Sequence, residues 1–462
     1  MINSQLLKNK LCYLIILTGL IFSIYNSFQI VLKNDYFFER DDGSVRHRII
    51  HSSPKGYWDH AHLFKKDLEE NKSFLESGAD LEMDYLYPKL IAFYYKIIDE
   101  DIKDDKNNFK LKNYKFGIPI IQSVIYFFIL YLFYRKIKNK FDIIVVVSVI
   151  SFLGLEPTIL TYHSSFWSES LYFSLLLLLF IFFLDPPKEY YKFFFLGLFL
   201  GLLYMQRSVT LLLFLPLSFY LIVMKKKSGV IQSFLMIIGY ILVLTFIGYN
   251  ENKKSGVFYF TPHTQGAAHW HYVSHILNAK KLNISYAESS KKKYEDLELW
   301  IEENDIDRKI VRDKRKILNY KKNYFFDSLQ GNFVEYLKFH IYKSFQFFLI
   351  NFSHSNIHLN IDKSQIDWWK TDDFKKHLKL IIFYSSIIYL ICLLGLINLI
   401  LDSRENRKLI FFVTLIVLYY TAILGWTGIP RYNICNLMFL SIFFGFGIDL
   451  MFNKIKKLLS VK

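Results

Sequence analysis

Ten separate stretches of this 462-residue chain are nearly uninterrupted runs of apolar residues. About 20 apolar residues in a helix are enough to cross the hydrocarbon core of a bilayer, so each run is a candidate membrane span. The runs are Leu11–Leu32, Phe116–Tyr134, Phe141–Leu160, Ser168–Leu184, Phe193–Gln206, Ser208–Met224, Gly229–Tyr249, Leu378–Leu401, Leu409–Trp426 and Asn433–Phe452. The fifth needs its flanking residues to reach a spanning length. The pattern predicts an all-α polytopic membrane protein.

The composition excludes the main alternatives. Hydrophobic residues make up 53% of the chain and aromatic residues 19%, which is too apolar for a disordered protein. The 46 Phe and 33 Tyr against 19 Gly and 9 Pro exclude a collagen-like or linker-rich chain.

The net charge of +16 is explained largely by membrane orientation. With the N-terminus inside, one face of the ten-span arrangement collects basic residues, as the positive-inside rule requires. They are Lys8, Lys10, Arg135, Lys136, Lys138, Lys140, Lys225, Lys226, Lys227, Arg404, Arg407, Lys408, Lys454, Lys456 and Lys457. The first outer loop is nearly balanced in charge and has no basic and aromatic run, so no nucleic-acid partner is expected.

This topology, with both termini inside, divides the chain into five segments. They are a first transmembrane helix (1–32), a first outer loop with a juxtamembrane helix (33–115), transmembrane helices two to seven (116–249), a second, mostly helical outer domain (250–377), and helices eight to ten with a basic inner tail (378–462). The first helix is expected to be an uncleaved anchor because no small-residue cleavage site follows its apolar run. The cysteines Cys12, Cys392 and Cys435 all fall in spans, so the outer loops contain no disulfide.

The first outer loop begins with the acidic pair Asp41-Asp42, which is followed by Arg46, His47 and, further on, by Tyr57 and Asp59. Acidic residues in such a place are also typical of a solvated turn. From Pro88 to Ile98 the apolar residues recur at helical spacing, which favours a helix lying in the membrane interface.

The first part of the second outer loop contains four histidines, which are His263, His269, His271 and His275. The spacing of the last two suits a metal site on one helix face, but no Asp or Glu stands at ligand spacing and aromatic residues are interleaved. We instead predict that these histidines, His269 among them, form hydrogen bonds or line a substrate cavity. No metal site is predicted.

Charged residues at the membrane boundary are costly unless they face a cavity or a partner. The topology puts Glu156, Glu169, Arg207 and Arg431, with Tyr432 next to it, at one level near the outer leaflet, beside Asp41 and Asp42. An arginine presents a planar fork to a phosphate, and a carboxylate can act as a general base. Snorkelling of each arginine to the interface is the simpler alternative.

The order of these features resembles the GT-C fold glycosyltransferases, in the branch that holds protein O-mannosyltransferases and lipid A aminoarabinose transferases. The resemblance extends over most of the chain and depends on seven landmarks in order, no one of which is specific. They are Asp41-Asp42, Tyr87-Pro88-Lys89-Leu90, Glu156-Pro157, Ser168-Glu169-Ser170-Leu171-Tyr172, the stretch from Gly201 to Arg207, Asn252 to Phe258, and Pro430-Arg431-Tyr432.

The resemblance implies transfer of a sugar from a polyprenyl-phosphate donor to a glycan, lipid or protein acceptor on the outer face, with inversion. Asp41 or Asp42 would be the base. The donor phosphate would be held by Arg207 and Arg431, with Arg46, His47 or Lys89 as helpers, and the cavity would be lined by Glu156, Glu169, Tyr57, Tyr87, Tyr432 and His269. The location would be a bacterial inner membrane, with the site facing the periplasm or exterior.

Three departures from the family pattern matter. Tyr57 stands beside Asp59 rather than close behind the acidic pair, so Asp59 competes for the role of base. The usual double proline is reduced to Pro88-Lys89. Some relatives use a divalent metal such as Mg or Mn, but nothing in this chain requires one.

Two other functions share the polytopic pattern. A flippase or transporter for a lipid-linked sugar would carry paired polar residues near the midplane and an internal repeat, and neither is apparent. An O-antigen polymerase or ligase would share the outer arginines but would not be expected to carry an acidic pair directly after the first span.

Overall fold

Each of the ten apolar stretches forms helical structure in the computed structural model of the chain. The structure describes residues 2–32, 37–39, 45–47, 53–70, 86–102, 117–164, 167–262, 267–308, 310–350, 372–402 and 406–460. Asp41 and Asp42 lie outside these residues, as does His263.

The described helices are α1 (Ile2–Leu32), α2 (Ser53–Glu69), α3 (Leu86–Ile97), α4 (Gly117–Ile137), α5 (Ile143–Leu155), α6 (Pro157–Ser164), α7 (Ser168–Leu184), α8 (Tyr191–Gln206), α9 (Phe214–Lys225), α10 (Lys227–Ser255), α11 (His275–Leu282), α12 (Tyr286–Glu303), α13 (Val311–Leu329), α14 (Phe333–Phe347), α15 (Asp372–Asp402), α16 (Asn406–Leu424) and α17 (Ile434–Ser460). Two short strands, β1 (Phe37–Glu39) and β2 (Val45–His47), pair antiparallel. A π-helical turn covers Trp270–Ser274, and 3-10 turns cover Ser208–Leu212, Gly425–Thr427 and Pro430–Asn433.

Among the described residues, seven helices are long and apolar enough to cross a membrane. The pair α5 and α6 makes an eighth candidate, bent by 44°, and α7 and α8 are shorter apolar helices. These helices confirm the predicted all-α polytopic membrane protein. The third stretch differs from a straight span because it breaks at Glu156: Pro157 opens α6, and a proline is tolerated there because the first helical N–H has no helical partner.

Serine side chains join α1 to α4 and α6. The hydroxyl of Ser23 lies 2.7 Å from that of Ser123 on α4 and 3.3 Å from that of Ser164 on α6. The hydroxyl of Ser27 donates to the backbone oxygen of Ser164 at 3.4 Å. Lipid offers helices no hydrophobic drive to associate, so buried polar contacts of this kind, together with close packing, stabilise the position of α1.

Basic residues that the sequence assigned to the inner face gather at one end of the bundle. The ammonium of Lys136, at the end of α4, lies 2.9 Å from the carboxylate of Asp185, just after α7. Lys140 donates to the backbone oxygen of Leu184 at 2.9 Å, and Lys225 to that of Pro187 at 3.2 Å. Because α7 ends and α8 begins here, the start of α7 and the end of α8 lie at the opposite end.

The segment 250–377, predicted to lie outside and called the second outer segment below, is mainly helical in its described parts and contacts that opposite end. The helix α10 ends at Ser255, and the following residue, Gly256, has a φ of +71°, which gives the left-handed cap that glycine adopts without strain. Trp270, Leu297, Ile301 and Ile306 form one apolar cluster of this segment. A second cluster brings Val273 and Leu277 against Trp426, which lies between α16 and α17.

The helix α14 carries an exposed apolar face and packs against the turns at Gly425–Thr427 and Pro430–Asn433. Its exposed apolar residues are Phe333, Val334, Leu337, Ile341, Tyr342 and Phe345. A helix with such a face, held against the ends of two membrane helices, suits the membrane interface.

The helices α15 and α17 cross at their glycines. A Cβ atom at Gly395 of α15 would collide with the backbone oxygen of Phe443 on α17, so only hydrogen fits between the two backbones.

Gly395→Leu should therefore destabilise the fold by about 1–3 kcal/mol or more through overpacking. The measurement is the midpoint of thermal unfolding of purified protein, with Leu393→Ala, at an exposed position of the same helix, as the control. A Gly395→Leu protein as stable as the control would contradict the close crossing.

Candidate active site

The candidate site forms where α7 begins and α8 ends. Glu169 lies in the first turn of α7, and Arg207 follows the last residue of α8. A carboxylate is favoured near the partial positive charge of a helix N-terminus, and a guanidinium near the partial negative charge of a C-terminus. The two helix ends therefore stabilise both charges at the same membrane level, as the topology predicted for these two residues.

Arg207 and Glu169 form an ion pair that is largely shielded from solvent. The Nη1 atom of Arg207 lies 3.4 Å from Oε1 of Glu169 and donates a hydrogen bond of 2.9 Å to the hydroxyl of Ser168. The side chains are 12% and 6% exposed, respectively. Gln206 donates from Nε2 to the backbone oxygen of Ser168 at 2.7 Å, which fixes the end of α8 to the start of α7.

Tyr432, before α17, completes this group. The guanidinium carbon of Arg207 lies 5.4 Å from the centroid of the Tyr432 ring, within the range of a cation–π contact. Arg431 lies beside it in the turn Pro430–Asn433, and its side chain is outside the described part of the chain. Asn433 donates from Nδ2 to the hydroxyl of Tyr389 on α15 at 2.6 Å.

Two buried amide oxygens border this group. Neither Oε1 of Gln206 nor Oδ1 of Asn433 has a hydrogen-bond partner among the described residues, although both side chains are buried. Buried acceptors are normally paired, so each such oxygen needs an explanation.

A hydroxyl network beneath the group was not predicted from the sequence. The hydroxyl of Tyr172 on α7 lies 2.9 Å from that of Thr210 and 2.7 Å from that of Tyr420 on α16. Ser168 and Gln206, which directly precede the predicted charges, could have been found as polar residues at the ends of apolar runs. Tyr420 has no such signal, because it lies inside the apolar stretch Leu409–Trp426.

Glu156 has a structural function in this fold. Its Oε2 atom accepts the backbone N–H of Ile159 at 2.9 Å, and Oε1 accepts the hydroxyls of Thr158 at 3.0 Å and Tyr384 at 3.3 Å. The carboxylate thus caps the first turn of α6 and joins the bend to α15. These contacts are sufficient to explain why the Glu156 carboxylate lies within the bundle, and no ligand is needed for that explanation.

The juxtamembrane helix predicted from Pro88 to Ile98 is α3, which packs against α2 and contacts α8. Tyr87 and Lys89 are both buried here. The ammonium of Lys89 lies 4.6 Å from the ring centroid of Phe64 on α2. The structure therefore places Lys89 between α2 and α3, next to the helix that carries Arg207 at its end.

The remaining residues predicted in the first loop are described only in part. Arg46 and His47 lie on β2, and Tyr57 and Asp59 lie on α2, but their side chains are outside the described part.

The histidines of the second outer loop pack among aromatic rings and cations. The His269 ring stacks on Trp426 at 4.0 Å, and burial lowers the pKa of His269 to about 4. Burial lowers the pKa of His271, also to about 4, with the charges of Lys321 and Lys293 adding to the shift. A cation is unfavourable beside these two ammonium groups, and within the described ranges no three His, Cys, Asp or Glu residues lie close enough to hold a metal ion.

Comparison with known proteins gives one match. Residues 84–250 match the family model of the Alg9-like mannosyltransferase family, a GT-C-type glycosyltransferase family. This match supports the GT-C superfamily that the sequence landmarks indicated, although it covers less than half of the chain. No curated protein and no solved structure matches the chain.

The matched range runs from just before α3 to α10 and contains Glu169 and Arg207. It ends before the turn that carries Arg431 and begins after Asp41 and Asp42. The assignment to the protein O-mannosyltransferase or aminoarabinose transferase branch therefore stays a prediction, as do the functions of individual residues.

The shielding of the Arg207–Glu169 pair predicts strong energetic coupling. A double-mutant cycle with Glu169→Gln and Arg207→Gln should give a coupling of about 1–3 kcal/mol in the free energy of unfolding. The matched control is the surface pair of Glu189 and Lys192, 3.2 Å apart with side chains 50% and 42% exposed, where about 0–1 kcal/mol is expected. Equal coupling in the two cycles would contradict a shielded pair.

Proposed function

We propose that the protein is a membrane glycosyltransferase that transfers a sugar from a polyprenyl-phosphate donor to a glycan, lipid or protein acceptor at the outer face. The observation that carries the proposal is the guanidinium of Arg207, which contacts Ser168, Glu169 and the Tyr432 ring. Arg207, Ser168 and Glu169 lie inside the range that matches a family of GT-C-type glycosyltransferases. The family match also favours a hexose such as mannose as the sugar, and enzymatic transfer over transport.

Arg207 suits a phosphate for reasons of geometry and charge. A guanidinium has five N–H donors in a planar fork, so it can serve a carboxylate and a phosphate at the same time. The contacts to Ser168 and Glu169 restrict its orientation before a ligand binds, which lowers the entropic cost of binding. In the proposed site Arg431 is the second arginine, and Arg46, His47 or Lys89 assist.

In the reaction that we propose, a hydroxyl oxygen of the acceptor attacks the anomeric carbon from the side opposite the phosphate. The bond between that carbon and the phosphate oxygen breaks, and polyprenyl phosphate leaves with the electron pair. The hydroxyl proton passes to a carboxylate of Asp41, Asp42 or Asp59. The arginines stabilise the negative charge that develops on the leaving phosphate. In-line attack inverts the anomeric configuration.

Loss of Arg207 should weaken donor binding more than it impairs folding. A charge-assisted hydrogen bond contributes about 1.5–3 kcal/mol, so Arg207→Gln should raise the donor KM by roughly 10–100-fold. The measurement is transfer from a radiolabelled polyprenyl-phosphate hexose in reconstituted vesicles. Arg135→Gln, at the opposite end of the bundle, is the control and should leave KM unchanged. An unchanged KM in Arg207→Gln would refute the phosphate-binding assignment.

Loss of the acidic pair should instead abolish the chemical step. The double variant Asp41→Asn with Asp42→Asn should lower kcat by at least about 100-fold while donor binding persists, because a general base typically contributes that much or more. Asp59→Asn is measured in parallel because it competes for the role, and Asp99→Asn, an exposed acid of the same loop, is the control. Full transfer by the double variant and by Asp59→Asn would exclude all three residues as the base.

A further inference from the structure

Two ammonium groups lie over one buried indole ring in the second outer segment. The Nζ atom of Lys293 on α12 is 4.4 Å from the ring centroid of Trp270, and that of Lys321 on α13 is 4.6 Å from it. Trp270 is only 1% exposed. The charge of Lys321 disfavours the charged form of Lys293, and burial weakens screening by water, so this arrangement has an electrostatic cost.

The two lysines differ in their hydrogen bonds. Lys293 donates to the backbone oxygens of Trp270 at 3.0 Å and His271 at 3.2 Å. Lys321 has no hydrogen bond or ion pair with any residue in the part of the chain that the structure describes. An ammonium carries three N–H donors, and a cation–π contact uses only the charge, so the donors of Lys321 are available to a ligand.

Lys321 lines a cavity of about 340 Å³ between α12 and α13. The cavity walls are Ala267, Tyr294, Leu297, Glu298, Ile301, Arg308, Lys314, Ile317, Leu318 and Lys321. Three of these residues are basic and one is acidic, and that acid, Glu298, pairs with Arg308. The cavity thus combines apolar walls with more basic than acidic residues.

The electrostatic surroundings of both lysines disfavour their positive charge. Burial lowers the pKa of Lys321, the charge of Arg308 adds to this effect, and the charge of Glu298 partly opposes it. Burial lowers the pKa of Lys293 to about 8, with the charge of Lys321 as the second cause. A bound anion would oppose both effects.

We propose that this cavity is an anion site, which binds a phosphate or carboxylate group through Lys321 and Lys314 while its apolar walls hold the adjoining part of the ligand. The site lies on outer-segment helices and shares no residue with the Arg207 group. The proposed anion site is therefore independent of the proposed glycosyl transfer. Only the identification of its ligand as an acidic acceptor, such as an acidic sugar or a phosphorylated glycolipid, rests on that proposal.

The test measures the reactivity of Lys321 in the whole protein, held in phosphatidylcholine nanodiscs. Each lysine is acetylated with a limiting amount of an amine-reactive ester and quantified by mass spectrometry. The probes are inorganic phosphate and glucuronate, each against sodium chloride at equal ionic strength, and nanodiscs containing phosphatidic acid form a third arm. Only the neutral amine reacts, so an anion bound at Lys321 slows its acetylation.

We expect at least a threefold slower acetylation of Lys321 in one or more arms, with no change at Lys292, an exposed lysine of α12. Protection by phosphate or glucuronate assigns a soluble or glycan anion, and protection only by phosphatidic acid assigns a lipid headgroup. Lys314→Gln, which keeps the reporting lysine, should reduce the protection at least twofold.

Arg207→Gln should leave the protection unchanged, so failure of the donor site and failure of this cavity can be told apart. Equal Lys321 reactivity in every arm would overturn the proposal. Protection of Lys292 to the same extent, or full protection in Lys314→Gln, would overturn it as well.

Discussion

A charged side chain within a bilayer must reach water, a partner or a cavity, and this constraint sorts the ionisable residues of the bundle. At one end Lys136 pairs with Asp185 where α4 and α7 end. At the other, Arg207 pairs with Glu169 where α8 ends and α7 begins. Hydrogen bonds between serines and close glycine contacts hold the helices between these two ends. The ion pair of Arg207 and Glu169 lies where the membrane helices meet the outer segments.

The same constraint concentrates polar and charged groups at the end of the bundle that carries Arg207. The helix termini there carry partial charges that stabilise a carboxylate and a guanidinium, and the turn before α17 adds Tyr432 and Asn433. The proposed donor phosphate would enter an environment that already holds a cation in a fixed orientation. The outer segment adds a second positive region at Lys321, which suits an acidic acceptor approaching from the aqueous side. Donor and acceptor would then be recognised by different parts of the chain.

Much of the fold could be predicted because apolar runs of spanning length have few alternatives in a membrane. The helical stretches and the common level of Glu169 and Arg207 both follow from the order of runs and charges. The break at Glu156 is less apparent, since a proline in a span can also bend a continuous helix. Glu156 caps α6 through a local contact, but its second contact comes from Tyr384, more than 200 residues away in the sequence.

Contacts of this long range explain most of what the sequence could not provide. Tyr420 meets Tyr172 only because α16 packs near α7. Tyr172 belongs to one of the sequence landmarks, but no local pattern marks Tyr420. Similarly, the histidines at His271 and His275 have the spacing of metal ligands, but the ammonium groups that disfavour a cation come from α12 and α13. Pairing across distant helices is set by packing, which a single sequence encodes only indirectly.

The central claim is that Arg207 marks the position of the donor phosphate. A cryo-electron microscopy structure of the protein in nanodiscs with a polyprenyl phosphate bound tests it directly. The account predicts phosphate density within hydrogen-bonding distance of the Arg207 guanidinium, next to Tyr432. Phosphate density at another part of the bundle, with the Arg207–Glu169 pair unchanged and no ligand beside it, would contradict the account.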